Sequence, residues 1–183
     1  VGCGIEFREG LGEAGAGHDE SRLVAVSGEM CAWEHAPQRS RPDSASAWWR
    51  YGSFMVRARF AEIMQPDRQG VALDEAALLV STAIQPGLDV EHWLGVLDGL
   101  AAGCPSATAD GVARHLFTDE HFVGNRDAYY DWRNSCLDRV IATRTGIPIS
   151  LSVLMIEVAR RLGVDLVGVG MPAHFLVRAA DDP

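Results

Sequence analysis

Hydrophobic residues recur at helical spacing over the middle of the chain. The segments 71–84 and 88–103 carry apolar residues at intervals of three and four, and a proline-glycine pair or a glycine ends each of them. Asp89 stands where a capping carboxylate is expected before the second segment. A weaker helix with an internal glycine is predicted for 107–117. The pattern therefore predicts a helical N-terminal region over 51–120.

The strongest helical pattern covers 149–163. Its apolar residues surround most of the circumference, which is typical of a central, buried helix. Pro148 suits the first turn of this helix, and Ser150 is predicted to be its N-cap rather than a nucleophile. Glu157 and Arg161 are four residues apart, a spacing at which opposite charges attract on one helix face.

Two predicted strands follow that helix. The segments 164–170 and 173–179 are rich in β-branched and aliphatic residues and are joined by a Met-Pro turn. A shorter helix is predicted for 134–146, with Asn134 or Ser135 as its cap. Helices segregated from a small sheet indicate an α+β domain.

The first fifty residues differ from the rest of the chain. Residues 1–50 are rich in Gly, Ala, Ser, Glu and Arg and show no sustained period of 2 or 3.6. They are therefore predicted to form a flexible leader. The expected organisation is this leader, then the helical region 51–120, then a core domain over 121–183.

Composition and charge narrow the class of protein. Apolar residues make up 48% and charged residues 22% of the chain, and no apolar run approaches the roughly eighteen residues that a membrane helix needs. The net charge is −9, which disfavours nucleic acid as a partner because phosphates repel an acidic surface. No secretory signal is visible, so a cytoplasmic protein without a membrane partner is predicted. The chain contains no Lys, which excludes a phosphate-loop or Schiff-base lysine.

The four cysteines give no sign of a metal site or a disulfide framework. Cys3, Cys31, Cys104 and Cys136 are far apart and form no C-x-x-C pair. No cofactor and no metal are expected from this pattern. The thiols are predicted to be buried or free.

Three segments within 124–178 carry a family resemblance. They read GNRDAYYDWRNSCLDRV, RTGIPISLSVLMIEVARRLGV and VGVGMPAHFLVR. Together they resemble the SirB-like bacterial branch of the transglutaminase-like superfamily, whose members are often followed by tetratricopeptide repeats. The resemblance implies a papain-like core, in which a central buried helix packs against a small antiparallel sheet.

The resemblance also implies where a catalytic triad would lie. Active members of the superfamily use Cys, His and Asp, and His174 matches the histidine. The cysteine position falls at the helix start, which here reads Pro148, Ile149, Ser150. The acid is expected on a strand beyond Arg178, so the core is expected to be truncated at its C-terminus. The leading hypothesis is a domain without a recognisable catalytic Cys that acts as a protein-binding or regulatory module.

Two alternatives remain open. The chain could be a cysteine-type hydrolase or acyltransferase that uses Cys136 with His174, although a packing role for Cys136 is favoured. It could also be a structural fragment whose open strand edge at 173–179 is covered by a partner or by self-association.

A polar and aromatic loop precedes the short helix. It is predicted to support the fold through hydrogen bonds, with Asp131 and Asn134 capping the following helix and Arg144 clamping a loop carboxylate. Gly146 is expected to end that helix. The other loop residues in this prediction are Asn125, Asp127, Tyr129 and Tyr130. The histidines with no ligand spacing are predicted to be surface residues: His18, His35, His92, His115 and His121.

Overall fold

The structure is a computed structural model that describes residues 58–63, 65, 72–171 and 174–180. The predicted leader 1–50 and the first part of the predicted helical region lie outside the described residues. Residues 58–63 are helical. Five further α-helices are α1 (Leu73–Ile84), α2 (Val90–Ala102), α3 (Ala109–Arg114), α4 (Leu137–Thr143) and α5 (Pro148–Arg161). The strands are β1 (Val123–Gly124), β2 (Thr145–Gly146), β3 (Leu166–Met171) and β4 (His174–Ala179).

Helix α5 is the centre of the domain. It packs against the other four named helices and against both β3 and β4. Its side chains are buried around most of the circumference, as the apolar pattern predicts. The fully buried members are Leu151, Leu154, Met155, Val158 and Ala159, each 0% exposed. The predicted α+β fold, with a central buried helix against a small antiparallel sheet, is confirmed.

Strands β3 and β4 form an antiparallel hairpin on one side of α5. Leu166 pairs with Ala179 at the open end and Met171 pairs with His174 at the turn. Within the described residues, these two strands pair only with each other. A side chain at Gly168 would place its Cβ 2.6 Å from the Phe175 ring, so a larger residue at this position would have to displace that ring.

A second, very small sheet was not predicted. Strands β1 and β2 are parallel and pair Val123 with Thr145 and Gly124 with Gly146. Two-residue strands contain no measurable alternation, which is why the sequence pattern does not reveal them. This pairing joins the segment after α3 to the segment that enters α5.

The short helix before α5 differs from its prediction at both ends. It was expected over 134–146, but α4 begins at Leu137 with Cys136 as its N-cap residue and no side-chain cap. A separate 3-10 turn, Trp132–Ser135, precedes it. At the other end, Arg144 adopts a left-handed conformation with φ 55° and ends the helix two residues before Gly146. Gly146 is buried in β2, and the predicted role as helix stop is therefore wrong.

Helices α1 and α2 confirm two of the helix predictions. Asp89 caps α2, because its carboxylate accepts a hydrogen bond from the His92 amide at 3.0 Å. The third prediction is only partly correct, since α3 ends at Arg114 and continues as a π-helical turn, His115–Asp119. This turn directs the His115 ring inward, where Nε2 lies 3.0 Å from the Leu100 carbonyl oxygen. The surface prediction for His115 is therefore wrong, as the residue is 6% exposed.

Candidate functional site

The start of α5 is the position at which the resemblance places a catalytic thiol. Pro148, Ile149 and Ser150 occupy it, so no thiol is present. Ser150 is buried, and its hydroxyl donates to the Asn134 carbonyl oxygen at 2.6 Å while accepting from the Ile147 amide at 3.1 Å. Ile147 is the N-cap residue, so Ser150 caps the helix from its third position, not from the predicted N-cap position. The hydroxyl proton is committed to a backbone carbonyl and is not positioned for nucleophilic attack.

Asn134 connects the polar loop to this helix start. It is 3% exposed, and its amide nitrogen donates to the carbonyl oxygens of Ala128 at 2.7 Å and Tyr129 at 3.0 Å. Its side-chain oxygen accepts from the Asn125 amide nitrogen at 3.0 Å. The oxygen of Asn125 in turn accepts from the Ala128 amide at 2.9 Å. The loop is therefore held by its own side chains, and Asn134 bonds within the loop without capping α4.

Asp131 caps the 3-10 turn that leads into α4. Its carboxylate accepts from the Arg133 amide at 2.9 Å and pairs with the Arg133 guanidinium at 2.8 Å. The same guanidinium lies over the Trp132 ring, 5.4 Å from its centroid. The turn thus presents an arginine and an indole ring side by side.

Large apolar side chains are exposed beside the start of α5. Tyr130 is 75% exposed, Trp132 is 43% exposed and Ile149 is 50% exposed. The turn that carries Trp132 packs against α5, and Ile149 is adjacent to Ser150. Tyr130 also makes an edge-to-face contact with Tyr129 at 5.3 Å. We refer to Tyr130, Trp132 and Ile149 as the helix-start surface.

Arg144 binds a carboxylate outside the polar loop. Its partner is Glu120, whereas Asp127 of the loop is exposed, so the predicted clamp on a loop carboxylate is wrong. The Arg144 guanidinium lies 5.0 Å from the centroid of the Phe122 ring. Its carbonyl oxygen accepts from the Val123 amide at 2.9 Å. The residue therefore fastens β1 to the end of α4, and its left-handed backbone is held by these contacts.

Cys136 is buried beneath α1. It is 1% exposed, and burial raises the pKa of its thiol above the ordinary value. The Ser81 hydroxyl, by hydrogen bonding, and the Arg139 charge oppose this rise in pKa, and the Asp138 carboxylate adds to it. A thiol with a raised pKa is mostly protonated at neutral pH and is a poor nucleophile.

His174 lies on a different element, at the first residue of β4, where it is exposed. The structure thus assigns the Cys136 thiol to the α1–α4 contact and His174 to the turn end of the hairpin, beside Met171 in the strand register.

A buried charge cluster lies on the opposite stretch of α5. Asp74 is 2% exposed and Glu157 is 1% exposed. Arg161 pairs with Asp74 at 2.6 Å and with Glu157 at 3.4 Å, and Arg160 pairs with Glu157 at 2.7 Å. The sequence indicated the Glu157–Arg161 spacing but not Asp74, because Asp74 and Glu157 are 83 positions apart in the chain. We call Asp74, Glu157 and Arg161 the clasp.

In the clasp, burial and the hydrogen-bonding partners of opposite charge shift the pKa values of Glu157 and Arg161 in opposite directions. Burial raises the pKa of the Glu157 carboxyl, the Asp74 charge adds to that rise, and the hydrogen bond from Arg160 opposes it. Burial alone would lower the pKa of Arg161, but hydrogen bonds with Asp98 and Asp74 outweigh it and raise that pKa. Arg161 therefore stays charged and holds carboxylates from α1 and α2, the latter through Asp98 at 2.6 Å.

The described residues contain no group of three or more side chains placed to hold a metal ion. Cys104 and Cys136 are both free thiols. None of the helices in the described part of the chain combines the length and the apolar character needed to span a bilayer.

Comparison with known proteins identifies the family. The model of the transglutaminase-like superfamily matches residues 72–183. A UPF0162 protein of Xylella fastidiosa is 39% identical over 125 residues, which cover 63% of this chain and 44% of the relative. A UPF0162 protein of Pseudomonas aeruginosa is 34% identical over 116 residues, covering 58% of this chain and 43% of the relative.

A mammalian protein matches a shorter segment. Human F-box only protein 21 is 44% identical over 73 residues, which cover 40% of this chain and 12% of that protein. No solved structure matches the chain significantly. The chain spans less than half the length of the bacterial relatives that it matches. Since the family model covers more than half of the chain, from just before α1 to the C-terminus, the chain belongs to the transglutaminase-like superfamily.

Proposed function

We propose that this chain is a transglutaminase-like domain without catalytic activity that binds a protein partner. The observation that carries the proposal is the start of α5, where Ile149 and Ser150 stand in place of a thiol. The Ser150 hydroxyl is bonded to the Asn134 carbonyl oxygen at 2.6 Å, so no other nucleophile replaces that thiol at the helix start. Ser150 instead stabilises the fold by joining the start of α5 to the loop before α4.

The helix-start surface supplies the binding site in this proposal. Trp and Tyr are over-represented among the residues that dominate binding energies, since their rings bury large areas with little loss of conformational entropy. Trp132 and Tyr130 project from a loop that Asn134 holds through three hydrogen bonds, so little ordering is needed when a partner binds. The exposed Ile149 extends the apolar area onto the first turn of α5.

The distribution of relatives supports a module that is used in different proteins. The match to human F-box only protein 21 covers only 12% of that protein, whereas the bacterial relatives match over 44% or less of their length. A segment retained within otherwise different chains is typical of a module. Membership of the SirB-like branch, with tetratricopeptide repeats in the longer protein, and a cytoplasmic location are parts of the same proposal.

The absence of catalysis is tested by the chemistry of Cys136. The rate of alkylation by iodoacetamide is measured for each cysteine-containing peptide as a function of pH, in the unaltered chain and in His174→Ala. We expect slow alkylation of Cys136 that does not change in His174→Ala, because the thiol is buried and its pKa is raised. Fast alkylation below pH 8 that is lost in His174→Ala would overturn the proposal in favour of a Cys136–His174 hydrolase or acyltransferase.

Binding is tested by photo-crosslinking in the native host. A photoreactive phenylalanine analogue replaces Ile149 in one variant and Glu91, an exposed residue of α2, in the control. We expect one discrete crosslinked polypeptide from position 149 and none from position 91, with the product lost in Trp132→Ala. Equal products from both positions, or none from position 149, would contradict binding at this surface. A product of twice the chain's mass would identify self-association instead.

A further inference from the structure

We propose that α1 is a lid over Cys136, and that the clasp formed by Asp74, Glu157 and Arg161 holds the lid closed. The inference is independent of the proposed binding function, because it concerns the contacts of α1 and not the exposed side chains of the helix-start surface. It predicts that the Cys136 thiol becomes reactive only when α1 separates from the domain.

The C-terminal half of α1 covers the thiol. Ser81 and Cys136 are both buried, at 0% and 1% exposed, where α1 packs against α4, the helix that has Cys136 as its N-cap residue. One turn later, the Gln85 side chain donates to both Asp138 carboxylate oxygens, at 2.9 and 3.0 Å. Gln85 also accepts from Arg139 at 2.5 Å. The end of α1 is therefore tied to Asp138 and Arg139, which follow Cys136 in the chain by two and three residues.

The N-terminal end of α1 depends on the clasp. Ala72 is its N-cap residue and supplies no side-chain hydrogen bond, so the first amides of the helix need partners from elsewhere. The Leu73 amide donates to Glu157 Oε1 at 3.2 Å, and Asp74 Oδ2 pairs with Arg161 at 2.6 Å. Both partners are on α5, and the clasp is thus the cap of α1.

Helix α1 has one exposed side. Its outer side carries Leu73, Val80 and Ile84, which are 40%, 49% and 49% exposed, so the helix lies at the surface of the domain. Opening would return the charges of Asp74 and Glu157 to water. Rehydration of these charges offsets part of the ion-pair energy that opening removes. Helix α5, by contrast, is buried on most sides and cannot separate from the domain in this way.

The first test compares two destabilised variants of the full chain. Asp74→Asn removes the charge that pairs with Arg161 while keeping the size of the side chain. Val177→Ala removes buried volume in β4, away from α1; Val177 is 0% exposed. Alkylation of Cys136 at pH 7.5 is measured by mass spectrometry, and global stability is measured by urea unfolding.

We expect Asp74→Asn to accelerate alkylation of Cys136 at least about tenfold, since it removes the ion pair with Arg161 that joins α1 to α5. Val177→Ala should leave the alkylation rate of Cys136 close to that of the unaltered chain, even when its loss of global stability equals that of Asp74→Asn. If both variants change the rate in proportion to their loss of global stability, the thiol is exposed by complete unfolding and the lid proposal is wrong.

A second measurement uses the unaltered chain, so it tests the proposal even if Asp74→Asn fails to fold. Amide hydrogen exchange of the unaltered chain should show the buried turns of α1 opening more often than α5, with little dependence on dilute urea, as in local opening. Exchange of α1 and α5 at the same rate and with the same urea dependence would overturn the proposal.

Discussion

The Ser150 hydroxyl donates a 2.6 Å hydrogen bond to the Asn134 carbonyl oxygen, which joins the first turn of the central helix to the loop before α4. The resemblance to catalytic members of the superfamily implies a thiol on this stretch of helix. Here it closes a hydrogen-bond network that also includes Asn125. The contribution of this hydrogen-bond network can be measured as a change in the stability of the domain.

Ser150→Ala should destabilise the fold by about 1–3 kcal/mol, because the Asn134 carbonyl oxygen and the Ile147 amide each lose a buried partner. Urea unfolding monitored by tryptophan fluorescence measures the change. The matched control is Ser135→Ala, since Ser135 is exposed, and its effect should stay below about 0.5 kcal/mol. Equal effects of the two variants would show that the Ser150 bonds contribute no net stability.

Asn134→Ala should cost about 3 kcal/mol, because it leaves the Asn125 amide and two loop carbonyl oxygens without their partner. The loop should also lose its fixed conformation, which amide exchange at Ala128 will detect. Asp127→Ala is the control, since Asp127 is an exposed residue of the same loop. A loop that keeps its slow exchange in Asn134→Ala would contradict the supporting role of this residue.

Gly146→Ala and Gly124→Ala form a matched pair, since the two glycines are register partners in the small parallel sheet. A Cβ at Gly146 would lie 2.8 Å from Ser150 Oγ and 3.0 Å from Val140 Cγ1, whereas a Cβ at Gly124 meets nothing within 4 Å. We expect a loss of about 1–3 kcal/mol for Gly146→Ala from overpacking. Gly124→Ala should change stability by less than about 0.5 kcal/mol, and thermal unfolding compares the two.

Glu157 should give the stability a distinctive pH dependence. Its pKa in the folded chain is raised above the ordinary 4.5, so the folded state binds the proton more tightly than the unfolded state does. The stability that this provides is fully present below pH 4.5 and is lost as pH rises through the folded pKa. Each unit of the rise corresponds to about 1.4 kcal/mol.

Glu157→Gln removes this titration while keeping an oxygen that can accept from the Leu73 amide. The stability of the unaltered chain relative to Glu157→Gln should therefore fall as pH rises above about 4.5 and through the raised pKa of the folded chain. Glu91→Gln, at an exposed site on α2, controls for the loss of one negative charge. The stability difference is measured by urea unfolding at each pH, and a difference that rises with pH would show that the folded pKa is lowered instead.

The sequence predicted those parts of the fold that depend on local pattern. The periodicity of α1, α2 and α5 follows from which faces are buried, and the bounds of all three agree with the prediction to within about two residues. The β1–β2 pair and the inward turn of His115 were missed, because neither has a local period.

The candidate site and the clasp likewise have parts that the local sequence reveals and parts that only the folded chain reveals. The missing thiol at Pro148, Ile149 and Ser150 is visible in the sequence, but the bond from Ser150 to Asn134 is not, since it joins residues 16 apart through a backbone carbonyl. The clasp is harder still to predict. Glu157 and Arg161 have the spacing of an ordinary surface pair, and only the folded chain brings Asp74 to them and removes all three from water.

The bond between the Leu73 amide and Glu157 also has a consequence for synthesis of the chain. The two residues are 84 positions apart, so α1 emerges from the ribosome long before the group that caps it has been translated. At about 5–20 residues per second, the helix waits for about 4–17 s. During that interval its apolar side, including Leu78, has no central helix to pack against. The contacts that hold α1 therefore form only after α5 has been made, and a nascent chain that stalls before residue 157 lacks the carboxylate that accepts from the Leu73 amide.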